Sequence, residues 1–228
     1  MHLYLIRHGQ SENNAKDESL RVQDPGLTAL GAQQVAFLGE WFTVTPLDVL
    51  ITSPFRRALL TTVPIYQATG LTPQVRTNLH EIGGCVSGYP EIGYQGEPGM
   101  SAEEICEQFP GFQPEHDIDQ QGWWKSKPYE TTEQQLARVQ QVVQQTFEEF
   151  GTTDQHVAYV MHADFKQLLL QGFLPELPIT SETFGPLRNA GVTILKIEEG
   201  RVRLNSYNGI QHLPANLVTP ATDSENRV

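Results

Sequence analysis

Short apolar runs alternate with segments of helical periodicity along this chain, and that alternation constrains the fold more than any other feature. Residues 2–6 are apolar, partly β-branched or aromatic, and are followed by a glycine-containing turn, so they read as a buried first strand. Residues 47–51 and the continuous apolar run 157–161 read as further buried strands, and residues 74–77 as a short one. Between them lie helices. Thr28 is placed to cap one that carries Leu27, Leu30, Val35, Leu38, Trp41 and Phe42. A second covers residues 55–68, with Pro64 expected to kink it or mark a first turn. Residues 131–150 form the clearest helix, with Leu136, Val139, Val143, Phe147 and Phe150 along one face. A further helix over 164–173 begins at Asp164, read as its cap, and residues 192–197 and 201–207 form a hairpin about Glu199-Gly200. Strands alternating with helices imply an α/β fold: one mostly parallel sheet with helices on both faces.

The chain of 228 residues is long enough for one large domain with a full core. No linker separates two cores, so residues 1–220 read as one catalytic domain and 221–228 as a flexible tail. The glycine-rich stretch 83–99 reads as a loop. Ser101 with Glu104 forms a capping box opening a short helix. Together, residues 83–130 form an expected insertion over one sheet edge, covering the substrate.

With 15 Lys+Arg against 27 Asp+Glu the formal charge is −12, which excludes bulk nucleic-acid binding but not a local arginine cluster for a small anion. Cys85 and Cys106 form no CxxC pair and read as reduced thiols of a cytoplasmic protein. The N-terminus turns polar after six residues, too soon for a signal peptide, and no apolar run reaches membrane-spanning length.

Open parallel sheets place ligands beyond the carboxyl ends of their strands. Three polar signatures fall there: Arg7-His8-Gly9 after the first strand, Ser53 to Ala58 after the second, and His162-Ala163-Asp164 after the late buried strand. With these residues the chain resembles the histidine phosphatase superfamily, also called phosphoglycerate mutase-like. Residues 5–14 are similar to RHG-x-[ST]-x-x-N and residues 24–34 to D-x-x-LT-x-x-G-x-x-Q. Residues 53–61 are similar to SPL-x-RA-x-x-T, Leu79-His80-Glu81 to L-x-E, and Met161-His162-Ala163 to S-H-G. Asn189 to Thr193 and His212-Leu213 resemble two downstream signatures. The match runs over almost the whole chain and its motifs keep their order.

The resemblance implies metal-independent phosphoryl transfer, with His8, Glu81, His162, Arg7 and Arg57 as the catalytic set. Arg7, Asn14, Arg57, His162 and Ala163 would bind the phosphate, and no cofactor or metal is implied. The residue types suit that chemistry. A neutral imidazole at His8 can attack phosphorus, and nearby guanidiniums disfavour its protonation. Arg7 and Arg57 are planar forks matching phosphoryl oxygens, and the Asn14 amide and His162 can donate, the latter more strongly as a cation. Glu81 would protonate the leaving oxygen. Around it the chain departs from the family's G-x-x-EG continuation, reading Glu81-Ile82-Gly83-Gly84 instead. Arg56 reads as a surface residue, Arg21 as one that could reach a second acidic group, and Trp123 and Trp124 as packing. None of His2, His80, His116, His156 or His212 shows metal-ligand spacing.

Hydrolysis of a small phosphorylated metabolite is the leading expectation, without nucleic-acid or membrane partners; a homodimer stays open. Three alternatives stand beside it: a phosphoglycerate-type mutase, a phosphoprotein phosphatase, and an inert phospho-ligand binder. The mutases' E-R-x-Y-G segment and basic insertion have no counterpart here.

Overall fold

The computed structural model describes residues 1–219; the tail expected over 221–228 lies outside the described residues. In chain order the elements are β1 (His2–Arg7), α1 (Ala29–Phe42), β2 (Val49–Thr52), α2 (Arg56–Thr69), β3 (Gln74–Val75), β4 (Val86–Tyr89), β5 (Gly93–Gly96) and α3 (Ala102–Gln108). They continue with β6 (Gln113–Pro114), α4 (Thr132–Phe150), β7 (His156–Met161), α5 (Ala163–Phe173), α6 (Ser181–Phe184), β8 (Val192–Glu198) and β9 (Arg201–Gly209).

Seven strands form one sheet in the order β6-β3-β2-β7-β1-β8-β9. The first five run parallel; β8 is antiparallel to β1 and β9 to β8. The apolar runs of β1 and β7 follow from burial on both faces. Leu3 and Leu5 with Val157, Tyr159 and Met161 pack against Val139 and Val142 of α4 and Leu169 and Leu170 of α5. The alternate residues, Tyr4, Ile6, Ala158 and Val160, pack against Leu38 and Phe42 of α1 and Ala58 and Ile65 of α2. This is the α/β architecture expected, with β1, β2 and β7 ending side by side.

Four local expectations are corrected. Residues 83–99 are not all loop: β4 and β5 pair as an antiparallel hairpin outside the main sheet. Pro64 marks no first turn, since α2 runs through it; a Cβ on Gly39 would lie 2.8 Å from the Pro64 ring carbon, so the two helices cross closely there. The buried face of α4 is rotated from the one expected. Leu136 is 51% exposed, while Arg138 is buried, its guanidinium gripping both carboxylate oxygens of Glu130 at 2.7 and 2.6 Å. Finally, the cap of α5 is His162, and Asp164 lies in the first turn.

Residues 83–130 pack a second apolar cluster against α2 and β3. Trp123, Trp124, Ile105, Phe109 and Phe112 are buried with Phe55, which precedes α2, and Leu59 of α2. The segment also supplies β6, the edge strand of the main sheet.

Candidate active site

Arg7, His8, Asn14, Arg57, Glu81 and Ala163 line one cavity of about 200 Å³ at the carboxyl ends of β1, β2 and β7. Arg7 and His8, Arg57, and Ala163 arrive there because β1, β2 and β7 stop at the same edge, while Asn14 lies in a short 3-10 turn beside it and Glu81 follows another. The turn after β1 is held against the start of α1: Gly9 donates to Thr61 Oγ1 at 3.1 Å, and a Cβ on Gly31 would sit 2.0 Å from the Gln10 carbonyl oxygen. Only glycine permits that approach.

His8 is buried, with Nδ1 2.7 Å from its neighbour's carbonyl, Gly9 O. A carbonyl accepts, so Nδ1 carries the hydrogen and Nε2 presents a lone pair. Arg57 Nε donates to that lone pair at 3.2 Å. Burial first, then the charges of Arg57 and Arg7, hold the imidazole pKa well below 6.5. The ring is therefore neutral at physiological pH.

Arg57 is itself held by the ring of Phe55, 4.1 Å from guanidinium carbon to centroid. Phe55 also packs edge-on against His162 at 5.0 Å and against Trp123 at 4.7 Å. The tryptophan pair is thus packing, as expected, and Trp123 backs the ring that positions both residues. Arg7 donates through Nη1 to the Leu187 carbonyl, and its buried Nε has no protein partner.

His162 does not line the cavity wall itself; its ring stands 5.2 Å from that of His8. Its Nε2 lies 2.7 Å from Ser53 Oγ, which already takes the Phe55 N–H at 3.4 Å. When the Ser53 hydroxyl donates to Nε2 the imidazole hydrogen sits on Nδ1, a buried atom with no hydrogen-bond partner. Burial and the nearby charge of Arg57 lower this pKa well below 6.5. The added strength that a cationic His162 would bring is disfavoured by this burial, and its role as a donor is left to the neutral ring.

Asn14 is locked by its carbonyl oxygen, which accepts from Ser11 N and Oγ, each at 3.0 Å, and from Asn189 Nδ2 at 3.2 Å. That leaves its amide as a donor toward the cavity. Asn189 also holds the His8 carbonyl at 3.2 Å.

Glu81 is recessed in the wall. Its Oε1 accepts from Ile82 N and Phe165 N, both at 2.9 Å, and its Oε2 from Asp164 N at 3.5 Å. Burial, then the neighbouring charge of Asp164, push its pKa up to about 7. The chain's departure after Glu81 has a steric reason. Gly83 and Gly84 take φ values of 88° and 81°, and a Cβ on either would strike the ring of Tyr129 or Trp124 at 2.3 Å.

Motif residues without an assigned role prove to be supports: Ser53, Thr61, Asn189, and Asp24, which receives the Arg56 N–H at 2.9 Å. Arg56 is half-buried, and its guanidinium reaches Gln108 Oε1 at the surface. Arg21 and Asp164 both reach the cavity wall. Among the described residues no group of three or more His, Cys, Asp or Glu could hold a metal ion, and no helix could cross a membrane.

Residues 3–209 match the histidine phosphatase superfamily (branch 1). The chain belongs to that superfamily. Phosphoserine phosphatase 1 of Hydrogenobacter thermophilus is 31% identical over 109 residues, covering 47% of this chain and 46% of the relative. A 2,3-bisphosphoglycerate-dependent phosphoglycerate mutase of Methylorubrum populi is 41% identical over 70 residues, 30% of this chain and 33% of the relative. The chain thus spans less than half the length of these curated relatives. Two solved structures share its fold. A mutant phosphoserine phosphatase of Entamoeba histolytica in complex with phosphoserine aligns at a TM-score of 0.64 and 21% identity, covering 93% of this chain and 99% of the other. A mycobacterial glucosyl-3-phosphoglycerate phosphatase complexed with VO3 aligns at 0.61 and 24%, covering 91% and 98%.

Proposed function

We propose that this protein hydrolyses the phosphomonoester of a small metabolite through a phosphohistidine on His8. The observation that carries this is the His8 ring. Its Nδ1–H is fixed on Gly9 O, so Nε2 offers a lone pair into a cavity flanked by two guanidiniums. Nε2 attacks phosphorus, the P–O ester bond breaks, and Glu81 gives its proton to the departing oxygen. Arg7, Arg57, the Asn14 amide and the His162 Nδ1–H donate to the phosphoryl oxygens, with Ala163 against them, where charge spreads in the transition state. Arg57 Nε exchanges its bond to His8 for a phosphoryl oxygen. The Glu81 carboxylate then takes a proton from water, which attacks phosphorus, and the N–P bond breaks to release inorganic phosphate. All charge stabilisation in this scheme comes from side chains, so no metal takes part.

Hydrolysis is preferred to mutase transfer because Glu81-Ile82-Gly83-Gly84 supplies neither the arginine nor the tyrosine of the mutase segment. Residues 83–130 serve as the cover over the substrate, through Tyr94 and Tyr129 in the cavity wall. The unpaired thiols Cys85 and Cys106 suit the reducing cytoplasm.

The test is phosphate release from p-nitrophenyl phosphate and a metabolite panel in EDTA, for wild type and His8→Ala. Activity that survives the chelator and vanishes in the variant supports the scheme. Activity retained in His8→Ala refutes it, and transfer to 3-phosphoglycerate in place of phosphate release would reassign the protein as a mutase.

A further inference from the structure

Behind Glu81 lie three buried polar side chains that the scheme above leaves unused: His80, Glu130 and Arg138, which are 4%, 5% and 7% exposed. A buried ion pair adds little stability over apolar packing of the same volume, so the informative question is what else its bonds hold. Arg138 Nε and Nη2 take up both carboxylate oxygens of Glu130, at 2.7 and 2.6 Å. Nη1 is left over. It donates to two main-chain carbonyls, Asn78 O at 3.1 Å and His80 O at 2.9 Å. Those carbonyls belong to the backbone that leads directly into Glu81.

The same cluster meets Glu81 on its other sides. His80 Nδ1 donates to Glu81 O at 2.7 Å, since a carbonyl only accepts. Burial, then the charge of Arg138, hold the His80 pKa well below 6.5, so this ring is neutral. Past Glu81, the backbone N–H of Glu130 takes Gly83 O at 3.2 Å. In front, the Arg138 guanidinium carbon lies 3.8 Å from the centroid of the Phe165 ring, and Phe165 N is the group that donates to Glu81 Oε1 at 2.9 Å. Arg138 therefore touches both the backbone that carries the acid and the residue that holds its carboxyl. Charge is not its lever. The Glu130 carboxylate neutralises the guanidinium, and the proton affinity of Glu81 is set chiefly by burial, Asp164, the Ile82 and Phe165 N–H groups and Arg57.

We propose that the Arg138–Glu130 pair is a positioning device for the acid: by clamping the carbonyls of Asn78 and His80 and the ring of Phe165, Arg138 aims the Glu81 carboxyl at the leaving oxygen. Neither member of the pair lines the active-site cavity, so both act through Glu81 and not on the substrate. This role presupposes the proposed phosphatase reaction with Glu81 as its acid.

The test removes both partners together. Arg138→Met with Glu130→Gln strands no buried charge, yet the carbonyls of Asn78 and His80 lose their clamp. The readout is kcat/KM for glycerol 2-phosphate divided by kcat/KM for p-nitrophenyl phosphate, at a pH below 7 where Glu81 holds its proton. Because kcat/KM ends at cleavage of the ester bond, the later water step does not enter. Partial unfolding lowers both terms alike and leaves the ratio where it was; a misplaced acid lowers the first term alone. In the double variant the ratio should fall about tenfold, the order expected when a catalytic group moves by a fraction of an ångström. In a Glu81→Gln background the same exchange should change it by less than about twofold, since no acid is left to misplace. Arg138→Lys keeps a cation opposite Glu130 but gives up the fork, so its ratio should fall as well, and it reads the clamp if the double variant does not fold. A wild-type ratio in these folded variants, or an equal fall in the Glu81→Gln background, overturns the proposal. Two controls read its foundations: hydrolysis of p-nitrophenyl phosphate must vanish in His8→Ala, and Glu81→Gln alone must lower the ratio. If both hold while the ratio of the variants stays level, the positioning role alone is wrong; if either fails, the reaction or its acid is wrong and the positioning role falls with it.

Discussion

The alkaline side of the pH profile tests the role of Glu81 most directly. Its carboxyl moves from the ordinary 4.5 up to about 7. Burial and Asp164 raise it, against the Ile82 and Phe165 N–H groups and Arg57, which favour the ionised form. Arg7, also cationic, faces it from β1, and the buried imidazoles of His8 and His162 are neutral. At pH 7 about half the molecules then hold the proton, against about 0.3% for an unshifted carboxyl, a gain of roughly 150-fold in competent acid. Above pH 7 the acid form falls about tenfold per pH unit. The assay is kcat/KM for glycerol 2-phosphate divided by kcat/KM for p-nitrophenyl phosphate, from pH 5 to 9. Nitrophenolate leaves with little need of a proton, and the second ionisation of the phosphate group occurs in both substrates and largely cancels. The ratio should be level in acid and decline with an inflection near 7. Glu81→Gln should lower it and flatten it, and Asp164→Asn should move the inflection to lower pH by removing a neighbouring negative charge. A ratio that is flat in wild type across this range would refute the assignment of Glu81 as the acid.

Three further outcomes follow from the same geometry. Because the folded Glu81 pKa lies above its unfolded value, the stability tied to its proton is full below pH 4.5 and is lost as pH rises through 7, up to about 3 kcal/mol. Glu81→Gln should therefore unfold at higher denaturant than wild type at pH 8, with the gap closing at pH 4; equal gaps at both pH values would contradict the raised pKa. Ser53→Ala removes the bond that fixes the His162 tautomer, and should cost about tenfold or more in kcat on p-nitrophenyl phosphate with the circular dichroism unchanged; full activity would show that Ser53 does not set the tautomer. Arg138→Met strands Glu130 as a buried lone charge and should cost about 3–5 kcal/mol in urea unfolding, much of it recovered when Glu130→Gln is added; no recovery would mean the pair is not the source of the loss.

The parts of this fold that sequence patterning reveals are those decided locally. β1 and β7 read as buried strands because both faces of each are covered, and the residues just after β1, β2 and β7 read as a site because parallel strands end together. Where reading fails, the deciding partner is remote in sequence. Helical periodicity turns Leu136 inward, yet Arg138 takes the interior because Glu130 and the carbonyls of Asn78 and His80 satisfy its guanidinium. The β4-β5 hairpin is hidden by its glycines and Pro90, and it is set by packing that only the folded chain provides: a Cβ on Gly96 would lie 2.1 Å from the Lys127 carbonyl. The low proton affinity of His162 depends on burial and on the charge of Arg57, remote in sequence.

Asp164 shows the same rule inside the active site, and shows what it implies for catalysis. Local preference makes an aspartate before an apolar helix its cap. The first-turn N–H groups of α5 instead meet Glu81, whose Oε1 takes Phe165 N at 2.9 Å and whose Oε2 lies 3.5 Å from Asp164 N. His162 occupies the cap position with no capping side-chain bond. A carboxylate from another part of the chain thus does the capping, and Asp164 takes a place on the cavity wall. The group that must hold a proton for leaving-group departure is also the group that the helix end prefers ionised. Burial and Asp164 pull its proton affinity up while the α5 N-terminus pulls it down, and a value near neutrality results from that opposition. An acid balanced in this way can give its proton to the ester oxygen in one step and take one from water in the next, which the two halves of a phosphohistidine cycle require of a single residue.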